Sequence, residues 1–303
     1  MMFWTNHMEK LSNKRVIISG ASRGIGLAIA KRLGAEGASV AILAKTDTPD
    51  PRLPGTVHTA AKEIEAAGGH ALPIVTDIRS EDQVKIAVAQ AAEVFGGIDC
   101  CINNASAISL TPTVKTQMRR FDLMFDVNVR GTFLVTKECI PHLRKGVNPH
   151  VLNISPPLDL DPKWFAPNVA YTMSKFGMSL CVLGMSMELK KLGIAVNALW
   201  PHSVIATAAI SNVVGGKSVL GHCRTPEIMA DAAALILSKD AKDFSGNFCI
   251  DDVLLSDEGV VDFSNYRVDS SKSLWSDFFV PSEIPQVENL VFVNDPAESE
   301  KSK

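Results

Sequence analysis

Three glycines, Gly20, Gly24 and Gly26, follow a short β-branched run at 15–19 and lead into a helix-forming stretch at 25–35. In Gly20-Ala21-Ser22-Arg23-Gly24-Ile25-Gly26 the missing Cβ atoms would let backbone N–H groups and a helix N-terminus approach a pyrophosphate, and let the helix pack on the strand. The spacing alone would also suit a plain strand-to-helix turn; the strand before it and the βαβ continuation point to a dinucleotide. An unphosphorylated ribose calls for Asp or Glu at the end of the second strand, about 20 residues on. The chain instead reads Ala44-Lys45-Thr46 there. Lys45 can pair with a 2′-phosphate, and Arg23 in the glycine loop can reach it as a second cation. NADP (NADPH) is therefore expected over NAD. Asp47 and the solvated position of a strand-end lysine argue the other way.

Stepping along the chain, strand-like runs at 15–19, 39–44, 71–76, 98–103, 150–154, 194–199 and 247–250 alternate with helical stretches at 25–35, 56–67, 81–95, 116–144, 169–192 and 226–238. Strands alternating with helices predict an α/β fold, a doubly wound seven-stranded parallel sheet of the Rossmann type in a single domain. The run Val40-Ala41-Ile42-Leu43-Ala44 is apolar at every position, as burial on both faces requires. The expected organisation is an N-terminal extension at 1–13, the domain at 14–280 and a disordered tail at 281–303. The tail carries Pro281, Pro285 and Pro296, with Val291-Phe292-Val293 as a short docking segment.

Thirty Lys+Arg against 33 Asp+Glu leave a net charge of −3, which provides no field to gather nucleic acid or an anionic membrane. No apolar run reaches the roughly 18 residues of a membrane span. Six scattered cysteines form no disulfide framework, so reduced thiols and an intracellular site are expected, cytoplasmic first, with peroxisome or mitochondrion as alternatives. No metal-ligand spacing occurs.

Over residues 14–255 the chain resembles the short-chain dehydrogenases/reductases. The resemblance rests on the glycine loop, Asp77, Asn103-Asn104-Ala105, Asn128, Tyr171-Thr172-Met173-Ser174-Lys175, and Asn197 with Pro201. It is strongest to the hydroxysteroid dehydrogenase-like branch, through 104–110, 153–158 and 197–201. Members of that branch often carry a following sterol-carrier domain, which is not expected within this chain. The resemblance implies an oxidoreductase in which Tyr171 is the general acid/base, Lys175 lowers its pKa and holds the nicotinamide ribose, and Asn128 holds a water of the proton relay. The residue types make sense of this: Tyr171 and Lys175, four apart, share a helix face, and a phenol of pKa about 10 needs a nearby cation to exchange its proton near neutrality. A surface helix pair and a helix-bridging amide are the plainer readings. The resemblance also assigns Asp77 and Ile78 to the adenine, Asn104 and Ala105 to its ribose, and, with Pro201 opening the loop, Ile205 to the nicotinamide and Thr207 to the phosphates.

The chain departs from the family at its serine. The family's Asn-x-Ser-Ser becomes Asn153-Ile154-Ser155-Pro156, and proline offers neither O–H nor N–H, so Ser155 after a local shift is the candidate donor. The competing expectation is a catalytically weak NADPH-binding sensor or interaction module. His202, where the family has glycine, reads as structural or ribose-side. Apolar residues at Pro157, Leu158, Trp164, Phe165, Ile210, Val213, Val214, Val219 and Leu220 suit a small lipophilic carbonyl or alcohol as substrate. The apolar sides of the helices at 117–144 and 169–192 suggest a homo-oligomer.

Overall fold

The computed structural model describes residues 11–50, 54–214, 217–285 and 287. The docking segment 291–293 and most of the predicted tail lie outside the described residues, as do residues 1–10 of the predicted extension. Leu11, assigned by sequence to that extension, is buried in the core.

β1 (Arg15–Ser19), α1 (Gly24–Ala35), β2 (Ser39–Ala44), α2 (Val57–Ala66), β3 (His70–Val75), α3 (Glu81–Phe95) and β4 (Cys100–Asn103) build the first half. α4 (Met118–Met124), a π-helical turn (Phe125–Gly131), α5 (Thr132–Leu143), β5 (His150–Ile154), a short α6 (Pro162–Phe165), α7 (Val169–Leu189), β6 (Ala195–Trp200), α8 (Glu227–Ser238), β7 (Phe248–Ile250) and α9 (Asp251–Asp257) complete it. All pairings are parallel and the strand order is β3-β2-β1-β4-β5-β6-β7. This is the predicted seven-stranded doubly wound sheet.

β1, β4, β5 and β6 are buried almost throughout because helices cover both faces: α1 and α8 pack on one side, α3, α5 and α7 on the other. β3, at the edge, is more open and tolerates Pro73, whose missing N–H a central strand would need. The order reverses between β1 and β4, so their C-terminal ends, Ser19 beside Asn103, frame a crevice.

The stretch expected as one or two helices at 116–144 is interrupted by the π-turn, with Asn128 inside it. β6 starts and ends one residue later than expected, which brings Trp200 into the sheet. Among the described residues, no helix is long and apolar enough to cross a membrane.

Candidate active site

Two hollows open at the C-terminal edge of the sheet. One is a groove of about 490 Å³ over the crevice, lined by Gly20, Ser22, Arg23, Gly24, Ile25, Lys45, Asp77, Ile78, Asn104, Ala105 and Thr207, together with Arg79. The other, about 600 Å³, contains Tyr171, His202 and the segment from Trp275 to Ser282.

The groove is built by close packing of two loops. Ser19 Oγ accepts from the backbone N–H groups of Asn104 and Ala105, and Asn104 Nδ2 donates to the carbonyls of Ser19 (3.1 Å) and Gly20 (2.9 Å). A Cβ on Gly20 would lie 2.7 Å from Ala105 Cα, and one on Gly26 2.4 Å from Asn104 Nδ2. These two glycines therefore admit the neighbouring loop. The N-terminus of α1 has no side-chain cap, so its first N–H groups face the groove for an anion to accept from. A floor of glycine backbone, an uncapped helix start and cations at the rim fit a dinucleotide's pyrophosphate and ribose.

The rim differs in detail from the sequence expectation. Arg23 Nε donates to Pro54 O (3.0 Å) and Nη2 to Gly55 O (2.7 Å), so its guanidinium braces the loop after β2. Lys45 is exposed and makes no hydrogen bond among the described residues. Asp47 is paired with His58 (2.7 Å). Asp77 is gripped by Arg79 (Nη2 to Oδ2, 2.5 Å), which holds its carboxyl below the usual range, with Lys45 adding to the effect. Arg79 is thus a groove cation that sequence reading missed; nothing in its spacing marked it. The Ile205 side chain is buried in the core and does not line the groove. Pro201 is buried at the exit of β6.

Tyr171 and Lys175 lie one turn apart on α7, both buried. Lys175 Nζ donates to Ile154 O at the end of β5 (2.7 Å) and lies 4.9 Å from the Trp200 ring centre. Burial lowers the Lys175 pKa to about 7, against the pull of Asp277. Burial likewise raises the Tyr171 phenol well above its ordinary value, with Asp277 adding to the rise. Lys175, which the resemblance gives the task of lowering the phenol, is not among the groups that shift it here. A phenol so placed holds its proton near neutrality.

Asn128 is buried with its amide engaged by protein. Oδ1 accepts from Ala107 N–H (2.7 Å), and Nδ2 donates to Ala107 O (3.0 Å) and Ser174 Oγ (2.9 Å). Ser174 Oγ in turn donates to the Tyr171 carbonyl (2.8 Å), so Asn128 ties the start of α7 to the loop after β4. Its side chain is already committed, and a water could be held only through the backbone, at a π-turn where the helical ladder is interrupted.

Ser155 does not meet its expected role. Its Oγ is fully buried without a hydrogen-bond partner among the described residues, and it lines neither hollow. Pro156 follows, its carbonyl accepting from Ser179 Oγ (2.6 Å). His202 is structural: its Nδ1 lies 2.8 Å from Asp252 Oδ1, and the same carboxylate binds Arg224 (2.6 Å). Of the expected apolar wall, Trp164 lines the Tyr171 cavity, while the side chains of Val213 and Val214 lie outside the described residues.

A large part of the remaining wall comes from Trp275 to Ser282, which sequence reading did not place. Val204 N–H donates to Trp275 O (2.8 Å), Asp277 N–H to His202 O (3.1 Å) and Trp200 Nε1 to Phe278 O (2.7 Å), strapping the segment across the end of β6.

A doubly wound sheet with a dinucleotide groove at its switch point and a buried Tyr-x-x-x-Lys pair beside it defines a nicotinamide-dependent oxidoreductase class. Residues 14–234 match the family model for short chain dehydrogenase. The hydroxysteroid dehydrogenase-like protein 2 of Xenopus tropicalis is 55% identical over 271 residues, covering 89% of this chain and 64% of that protein. The protein of the same name from Danio rerio is 54% identical over 282 residues, covering 93% of this chain and 66% of its own length. A solved short chain dehydrogenase from Mycobacterium thermoresistibile is 50% identical, with TM-score 0.86, covering 91% of this chain and 98% of that one. The chain belongs to the short-chain dehydrogenase/reductase family, and similar solved structures include one bound to NAD and one in complex with NADP. It spans just under two thirds of the length of the curated relatives it matches.

Proposed function

We propose that the protein transfers a hydride between NADP(H) and a lipophilic ketone, aldehyde or alcohol, steroid-like or fatty-acyl-derived, with Tyr171 as general acid/base. The observation that carries this reading is the buried Tyr171 phenol, facing a cavity walled by Trp164, Phe278 and Phe279, next to the glycine-floored groove. The glycine loop at Gly20–Gly26 would hold a reduced dinucleotide, which would supply the hydride. Tyr171 supplies the proton that the product oxygen takes, Lys175 lies one turn away, bonded to Ile154 O and Met178 Sδ with an N–H left to offer the ribose, and Asn128 holds the start of α7 in place. The hydroxysteroid dehydrogenase-like name of the relatives supports a lipophilic substrate. Exposed Leu180, Leu183 and Met187 on α7 and Phe133 on α5 support a homo-oligomer. With NADPH and a panel of apolar ketones and aldehydes, the protein is expected to oxidise NADPH with formation of the alcohol. A rate no greater than that of Tyr171→Phe would overturn the reading.

Pro156 favours one second reading, a module that binds NADPH tightly without turnover, which tyrosine-dependent turnover would exclude.

The preference for NADP rests on Lys45. A charge-assisted contact to a 2′-phosphate is worth about 1.5–3 kcal/mol, and each 1.4 kcal/mol is tenfold in affinity. Lys45→Asp removes the attraction and adds repulsion, so NADPH binding should weaken at least about tenfold while NADH binding stays within a few-fold. Calorimetric titration of both cofactors measures this. Equal losses would show that Lys45 does not read the phosphate and leave Arg79 as the cation to substitute next.

A further inference from the structure

A carbonyl oxygen gaining charge is best stabilised by more than one fixed donor, and loss of one typically lowers turnover by about 10²–10³. Tyr171 provides one. The exit of β5 provides no second: Ser155 Oγ is sealed away, and Pro156 has no donor. Among the other polar side chains of the Tyr171 cavity, His202 is bonded to Asp252 and Lys163 to Ser282 and Asp161. Ser276 Oγ is bonded to Asp277 O, and Asn168 and Trp275 also line the cavity; of these groups Asp277 is the one that acts electrostatically on both Tyr171 and Lys175.

Asp277 is held by the strap. Its own N–H donates to His202 O, and the neighbouring Ser276 bridges antiparallel to Ser203. Oδ1 accepts from Phe278 N–H (2.7 Å), while Oδ2 has no hydrogen-bond partner among the described residues. Asp277 is half-buried and lines the Tyr171 cavity.

The geometry points to Asp277 as a further catalytic residue: in its protonated form it donates through Oδ2 to the same substrate oxygen that Tyr171 protonates, in place of a hydroxyl from β5. This rests on the function proposed above. Asp277 keeps its proton throughout; it polarises the carbonyl, while the proton that ends on the alcohol is the one Tyr171 gives up. The groups that face or act on Asp277 are Tyr171 and Lys175 from α7, His202 from the loop after β6, Cys223 and, at the start of α9, Asp251. Burial raises its pKa to about 7 and Asp251 adds to the rise, against Lys175 and the Phe278 N–H, so a protonated fraction persists near neutrality.

Three variants and a spectroscopic measurement test the assignment. With NADPH and an aromatic diketone, Asp277→Leu, which keeps volume but cannot donate, should lower kcat about 10²-fold with KM within a few-fold. Asp277→Asn, which keeps an N–H donor, should recover kcat to within about tenfold of the parent. Carbon-13 NMR of aspartate-labelled full-length protein should show a carboxyl titrating near pH 7 that disappears in Asp277→Asn. Parental kcat in Asp277→Leu, equal losses in the Leu and Asn variants, or a carboxyl titrating near the ordinary aspartate value of about 4 would each overturn the proposal. Tyr171→Phe run beside them separates the two readings. If it turns over like the parent, the tyrosine mechanism falls, while the NMR titration still decides the state of Asp277.

Discussion

Lys175→Met is expected to lower turnover about 10³-fold and, at neutral pH, to raise resistance to unfolding. Both effects come from the same burial. The ammonium lies where water is excluded, tethered to Ile154 O and over the Trp200 ring, and its pKa falls to about 7. Methionine keeps the length of the side chain and removes the desolvated amine, a change worth on the order of 1–4 kcal/mol in other buried charge sites. The pH dependence has a definite sign. Between about pH 7 and the unfolded lysine value near 10.4 the unfolded chain binds more protons than the folded one, so stability from this group rises with pH across that window and is lowest below it. The methionine variant loses that rise, and its advantage should be largest at or below pH 7 and vanish toward pH 10. Buried Asp277 works the other way between about pH 4 and 7, which makes parent-minus-variant differences the quantity to compare. Turnover falls because the variant loses the N–H that Lys175 offers the nicotinamide ribose in the proposed mechanism, and orientation of bound reactants can contribute more than about 10³-fold. Urea unfolding across pH 6–10, paired with NADPH oxidation, measures both. A methionine variant less stable than the parent at pH 7, or as active, would refute this account of α7.

What sequence could reveal followed from how local each cause is. Val16-Ile17-Ile18 in β1 and Val40 to Ala44 in β2 are apolar at consecutive positions because helices cover both faces, and that pattern is visible without coordinates. Gly20 and Gly26 were legible as a loop that something must approach closely; the structure shows that the first thing to approach is Asn104-Ala105. Arg23 and Lys45 read alike as charges, and only the fold separates them, because the carbonyls that occupy Arg23 come from Pro54 and Gly55, some 30 residues away in sequence. The π-turn at Asn128 has no compositional sign: it serves the bonds of one amide to Ala107 and Ser174. Asp277-Phe278-Phe279 follows no helical or strand period, and its partners, Tyr171, Trp200 and His202, precede it by 75 residues or more. The site is thus only partly a property of the motifs. The residues that close it lie in irregular backbone, whose position depends on what it docks against.

Phe279→Ala is expected to remove about 3–5 kcal/mol of stability, a loss characteristic of a large buried aromatic. Phe279 is 2% exposed and is the hub of the aromatic cluster over the cavity. Its ring centre lies 5.5 Å from Phe176, 5.9 Å from both Trp164 and Trp200, and 6.1 Å from Tyr171. No other side chain of the strap could fill that volume, because the backbone bonds of 275–278 fix the segment's register. The backbone at Phe279 supplies an internal control. Its φ is +65°, a left-handed conformation that costs a side-chain-bearing residue about 1–2 kcal/mol. At an ordinary position glycine is less favourable than alanine through the entropy of the unfolded chain. Here the order should invert, with Phe279→Gly losing about 1 kcal/mol less than Phe279→Ala, since glycine adopts this φ without strain. Both variants widen the hollow beside Tyr171, so KM for apolar ketones should rise while NADPH binding, in a separate groove, stays near the parent's value. Denaturant unfolding of the three proteins, with NADPH titration alongside, gives the comparison. A loss below about 1 kcal/mol, or alanine more stable than glycine, would mean that the ring does not pin the strap and that the cavity wall at Tyr171 is held by the backbone bonds to 202–204 alone.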